Sequence, residues 1–120
     1  MRANRTNQTP VTESEIKKQI LEYLTVTNIF AWRQNCGAFI QEENGTKRFI
    51  RCGIPGCSDI IGCLPDGRFL AVECKRPGGK LTMAQKAFLA EIAKNGGVAI
   101  VASSVEDVER ILKTKLNNRR

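Results

Sequence analysis

Apolar positions along the chain alternate between two spacings, and the alternation predicts its elements. Ile16, Ile20, Tyr23 and Leu24 fall on one helical face. Thr12-Glu13-Ser14-Glu15 before them fits a capping box, so a helix is expected from residue 12 to about 24 or 25. Residues 29–34 (IFAWRQ) and 38–41 (AFIQ) read as strands, and Asn44-Gly45 turns the chain into a returning strand at 47–51 (KRFIR). A loop rich in glycine and proline follows, Cys52-Gly53-Ile54-Pro55-Gly56-Cys57. Residues 58–63 (SDIIGC) and 68–75 (RFLAVECK) flank a Pro65-Asp66-Gly67 turn and predict an antiparallel hairpin.

Thr82-Met83-Ala84-Gln85 is a second capping box. It opens a helix with Ala87, Phe88 and Ile92 on its apolar side, stopped by Asn95-Gly96-Gly97. The continuous apolar run 98–102 (VAIVA) predicts a strand buried on both faces. Ser104 then caps a last helix that turns Val105, Val108, Ile111 and Leu112 inward. The expected fold is α/β, a mixed sheet flanked by helices. The helix between strands 68–75 and 98–102 makes those two strands parallel, joined by a right-handed crossover. One domain over residues 12–116 is expected, with a flexible arm at 1–11 and a basic tail at 117–120.

Charge narrows the partners. Nineteen Lys and Arg against twelve Asp and Glu leave the chain at +7, which draws polyanions at long range. No apolar run approaches the roughly 20 residues that span a bilayer, and the polar first ten residues lack a signal core, so a cytoplasmic protein with no membrane contact is expected. The five cysteines are odd in number and include no Cys-x-x-Cys pair, which predicts small buried thiols in a reducing compartment rather than disulfides or zinc. There is no histidine, which excludes a Ser-His-Asp triad, a Cys-His pair and a histidine-ligated metal. Catalysis has to run on carboxylates, lysine, hydroxyls, thiols or a metal held by oxygen.

Three residues meet that condition. Side chains alternate along a strand, so Glu73 and Lys75 share a face beyond apolar Leu70–Val72. Across the Pro65-Asp66-Gly67 turn, Asp59 lies opposite residue 73 or 74 according to the loop register. Two adjoining carboxylates repel and are relieved by a shared cation, and a hard cation such as Mg²⁺ prefers oxygen ligands. Beside a phosphate, such a cation neutralises developing charge, and a lysine orients the attacking water or stabilises the transition state.

Asp59, then thirteen residues, then Glu73-Cys74-Lys75 resembles the PD-(D/E)xK nuclease signature. The fuller run Gly53–Gly62, with Arg68–Lys80 and Thr82–Gln85, is similar to the VRR-NUC (virus-type replication-repair nuclease) family over about residues 13–110. The resemblance implies a restriction-endonuclease-like core, Mg²⁺ or Mn²⁺ dependence and action on branched DNA. For short stand-alone members, often phage-encoded, it also implies a homodimer. Ser58 stands where the superfamily name has proline, and Cys74 between Glu73 and Lys75 offers the metal its backbone carbonyl.

The resemblance also places a glutamate in the first helix before an apolar residue, which Glu15-Ile16 matches. Glu15 is equally the third residue of the capping box, and the two roles stay open. Gln85 has the same two readings, cap or polar contact beside Lys75. The metal set is then Asp59, Glu73, Glu15 and Cys74, and the catalytic set adds Lys75 and Gln85. Arg33, Lys47, Arg48, Arg51, Arg76 and Lys80 form the expected DNA track, with Trp32 in the core. The expected function is a divalent-metal endonuclease acting on structured DNA such as four-way junctions, as a homodimer in DNA repair. A flap or nicking nuclease, a non-catalytic basic DNA-binding protein and a cysteine-ligated zinc module are the alternatives.

Overall fold

A helix opens the chain because Thr12 caps it: its hydroxyl accepts the Glu15 N–H at 3.1 Å, starting α1 (Glu13–Val26). Ile16, Ile20 and Leu24 recur along one side of α1, and all three are buried. The computed structural model describes residues 11–34, 38–51 and 53–117, and for residues 38, 39 and 49–51 the backbone alone. Residues 1–10 of the arm expected at 1–11, residues 118–120 of the tail expected at 117–120, Cys36, Cys52 and the Arg51 side chain lie outside the described residues.

After α1 come β1 (Phe30–Arg33), β2 (Ala38–Glu43), β3 (Thr46–Arg51), β4 (Ile60–Cys63) and β5 (Phe69–Cys74). Then follow α2 (Met83–Lys94), β6 (Val98–Ala102) and α3 (Val105–Asn117). β1, β4, β5 and β6 form one sheet in that order, while β2 and β3 pair with each other through the Asn44-Gly45 turn. β4 and β5 are antiparallel, with Ile60 opposite Val72, and β5 runs parallel to β6. This is the mixed α/β sheet flanked by helices that the sequence predicts.

Alternation in the strands sorts the core into two layers. Leu70, Val72 and Cys74 of β5 join Ile60, Ile100 and the apolar sides of α1 and α3. On the other face, Ile61 and Ala71 pack under Leu89, Phe88 and Ile92 of α2. β5 is buried on both faces, as a central strand should be.

Two expectations change. β6 is the sheet's edge, so Val98, Ile100 and Ala102 are buried while Val101 is 44% exposed. A run of five apolar residues does not distinguish an edge strand from a central one. Trp32, expected in the core, is 42% exposed and Phe30 is 72% exposed, because α2 packs over β5 and β6. No helix of the described residues is long and apolar enough to cross a membrane.

Candidate active site

The register decides which charges meet. Continuing the β4–β5 ladder past Ile60 and Val72 sets Asp59 opposite Glu73, at the end of the sheet where both strands stop. Asp59 Oδ2 accepts the Cys74 N–H at 2.9 Å, so the aspartate folds over the end of β5. The Asp59 carbonyl accepts the Gln34 N–H at 2.8 Å, which ties β1 to the same point. Cys74 turns its thiol into the core, where burial first and then the charges of Asp59 and Glu73 push its pKa to about 12. It stays protonated, and its side chain takes no part at the site.

Glu73 points to the other face and is almost fully buried, at 2% exposure. Gln85 Nε2 donates to Glu73 Oε2 at 2.9 Å, and Lys75 Nζ lies 3.9 Å from the same oxygen. Oε1 is buried and has no hydrogen-bond partner among the described residues. Burial, then the negative charge of Asp59, raises the Glu73 pKa from 4.5 to about 7, against the lowering pull of Lys75 and Lys17. The carboxyls are close enough that a proton on one is shared with the other.

Gln85 fills both of its sequence-predicted roles at once. Its Oε1 accepts the Thr82 N–H at 2.9 Å and Thr82 Oγ1 accepts the Gln85 N–H at 3.1 Å, completing the capping box. With its carbonyl oxygen committed, the amide can present only N–H to Glu73. The Gly53–Cys57 loop braces this helix start. Gly56 has φ +79°, and a Cβ there would overlap the Ala84 carbonyl and lie 2.7 Å from the Gln85 nitrogen.

Glu15 sits differently. Among the described residues no bond from its carboxylate closes the first capping box, and none reaches Asp59 or Glu73. It is exposed in a recess of about 730 Å³ lined also by Lys17, Lys18, Glu22 and Arg33. Two residues along a helix rotate the side chain by about 200°, so the side of α1 that reaches the carboxylates carries Glu13 and Lys17 instead. Lys17 Nζ lies 3.5 Å from Asp59 Oδ1, and the charge of Glu13 is felt at Cys74. Sequence reasoning missed Lys17. Its one signal is a position one residue past Ile16, on the shoulder of the buried stripe.

The basic residues divide. Arg33 is exposed on β1, immediately before the Gln34 amide that binds Asp59. Arg76 and Lys80 are exposed in the loop that leaves β5 beside Lys75. Lys47 and Arg48 are exposed on the separate β2–β3 hairpin, on opposite faces of β3, so adjacency in sequence does not gather them. Ser58, in the proline position, is fully buried.

An oxygen-ligated cation suits this chemistry. The carboxylates of Asp59 and Glu73 adjoin, and Glu73 Oε1, which no donor among the described residues reaches, is an acceptor that a cation can satisfy. Among the described residues no group of three or more Asp, Glu, Cys or His is placed to hold a metal, so water or substrate oxygens would complete the shell. Of the described cysteines, Cys74 is buried, Cys57 half-buried and Cys63 exposed, where most of the five were expected to be buried.

A comparison with curated proteins returns no significant match. A protein-family comparison matches the VRR-NUC domain over residues 4–106, most of the chain and the whole of the sheet and site just described. Nucleases of the PD-(D/E)xK type generally use divalent metals, and DNA is the substrate that a nuclease domain of this kind implies. The chain therefore belongs to the VRR-NUC domain family, a nuclease of the PD-(D/E)xK type.

Proposed function

We propose that the chain is a Mg²⁺- or Mn²⁺-dependent endonuclease that hydrolyses phosphodiesters in branched DNA, four-way junctions among them. The observation that carries this reading is the buried Glu73 Oε1 beside Asp59, which has no hydrogen-bond partner among the described residues. Leaving a carboxylate oxygen buried and unsatisfied costs the molecule stability, and function is the usual reason for tolerating it. Asp59 and Glu73 would hold the cation, which supplies charge neutralisation at the phosphate and a lowered pKa for the attacking water. Lys75 is placed to orient that water and to stabilise charge on the phosphate. Gln85 keeps Glu73 in position, and Arg33, Arg76 and Lys80 flank the site as phosphate contacts. The decisive experiment is a cleavage panel of single-stranded, duplex, flap and four-way DNA with Mg²⁺ or Mn²⁺. Glu73→Gln serves as the inactive control. Cleavage that survives chelation or Glu73→Gln ends the proposal.

Two opposed cuts in a junction need two sites, so a homodimer is part of the same reading. The exposed apolar pair Phe30 and Trp32 on edge strand β1 is surface that a second copy would cover. A flap or nicking nuclease is the second reading, favoured by the same pair. Their rings are 5.3 Å apart on the sheet face that leads to the carboxylates, where a monomer would stack unpaired bases on them.

A further inference from the structure

Lys17 is the charged group at the site that the nuclease signature does not include. Its ammonium lies 3.5 Å from Asp59 Oδ1, the oxygen that the Cys74 N–H leaves over. Both side chains are about a quarter exposed. Of the four carboxylate oxygens, Asp59 Oδ2 is held by backbone and Glu73 Oε2 by Gln85. Asp59 Oδ1 and Glu73 Oε1 are the oxygens these bonds leave over, the pair would offer them to a cation, and Lys17 stands on the first.

We propose that Lys17 is a resident counter-cation: it holds the metal's place on Asp59 until a divalent ion displaces it, and it then turns to a phosphate of the substrate. The proposal rests on reading Asp59 and Glu73 as the cation site. Once Glu73 is ionised, as at the pH of the test below, Lys17 and Lys75 offset the two carboxylates without any metal, so the empty pair repels itself less and the incoming ion gains less. Displaced, the lysine has somewhere to go, because its side chain also lines the recess shared with Lys18 and Arg33. Metal and polynucleotide then favour each other's binding, since the phosphate takes over the counter-charge that Asp59 gives up.

The test is a Mn²⁺ titration of the whole chain without DNA at pH 8.5, following free Mn²⁺ by electron paramagnetic resonance. Lys17→Met should bind Mn²⁺ more tightly than the parent by about fivefold, the size of a partly exposed ion pair, while Lys17→Arg stays near the parent. Unchanged or weaker binding in Lys17→Met overturns the proposal, because a lysine that merely positions Asp59 would weaken the site when lost. Lys17→Gln repeats the measurement should the methionine variant fold poorly. In a second arm, Ca²⁺ should tighten DNA binding by the parent more than by Lys17→Met. Equal enhancement overturns the transfer to phosphate. If the parent binds no Mn²⁺, the cation-site reading itself falls, an outcome distinct from a parent that binds while Lys17→Met is no tighter.

Discussion

The side-chain amide of Gln85 joins the start of α2 to the acid at the end of β5: Oε1 is held by the Thr82 N–H at 2.9 Å, and Nε2 reaches Glu73 Oε2 at 2.9 Å. Gln85→Glu keeps an acceptor for the cap but replaces the donor with a third carboxylate. It should lower kcat by about 10- to 100-fold with a small change in Tm, the loss expected when a hydrogen bond to a charged group becomes a repulsion. Gln85→Ala should lose less activity and about 1 kcal/mol of stability with the cap. Equal kcat in Gln85→Glu and the parent would remove Gln85 from the mechanism.

Asp59→Asn, Glu73→Gln and Lys75→Ala should each lower cleavage by about 10³-fold or more, while circular dichroism and DNA binding by anisotropy stay close to the parent. Any of the three that cuts at the parental rate drops out of the active site.

The pH dependence of stability isolates Glu73. Its carboxyl titrates near 4.5 in the unfolded chain and at about 7 in the folded protein, so the folded state holds its proton over a range where the unfolded state has released it. Stability from this group is complete below about pH 4.5 and is lost as pH rises through about 7. Metal-free protein in EDTA should therefore show a falling Tm between pH 5 and 8, and Glu73→Gln should flatten the curve. With no histidine in the chain, no imidazole titrates in that window to confuse it. A parental Tm that rises across the same range refutes the assignment.

Chelation should stop cleavage, and Mg²⁺ or Mn²⁺ should restore it. Ca²⁺ should support binding without turnover, because its looser coordination activates water poorly. Turnover in Ca²⁺ matching that in Mg²⁺ would contradict an octahedral oxygen site.

Trp32 is the sole tryptophan, so its fluorescence reads the exposed face of β1 directly. For a homodimer its emission should change with protein concentration in the micromolar range, in step with ultracentrifugation. Quenching by single-stranded DNA with no concentration dependence would instead favour a monomer on flaps.

Much of the site was legible along the chain, for local reasons. Counting outward from the Pro65-Asp66-Gly67 turn brings Asp59 opposite residue 73 or 74, the observed register selects Glu73, and strand alternation puts Glu73 and Cys74 on opposite faces. Thr82 and Gln85 announce the cap three residues apart. What periodicity could not supply is which side of a helix lands over the strand ends. Lys17 and Glu15 are both polar positions flanking Ile16, and only the seating of α1 on the sheet separates them. The same holds for VAIVA, whose place at the edge depends on strand order, and for Trp32, whose exposure depends on where α2 stops covering the sheet.

The parallel pairing of β5 with β6 has a consequence for the order of events during synthesis. The Lys75 N–H donates to the Ala102 carbonyl at 3.0 Å, and Glu73 lies beside Val101, so the reactive end of β5 is pinned by a strand made some twenty-five residues later. Long-range pairing of this kind forms late. A ribosome must deliver the chain through β6 before Glu73, Lys75 and Gln85 are fixed together, and until then a nascent chain carries the acids of a nuclease without its geometry. The geometry of the site is complete only as the fold closes.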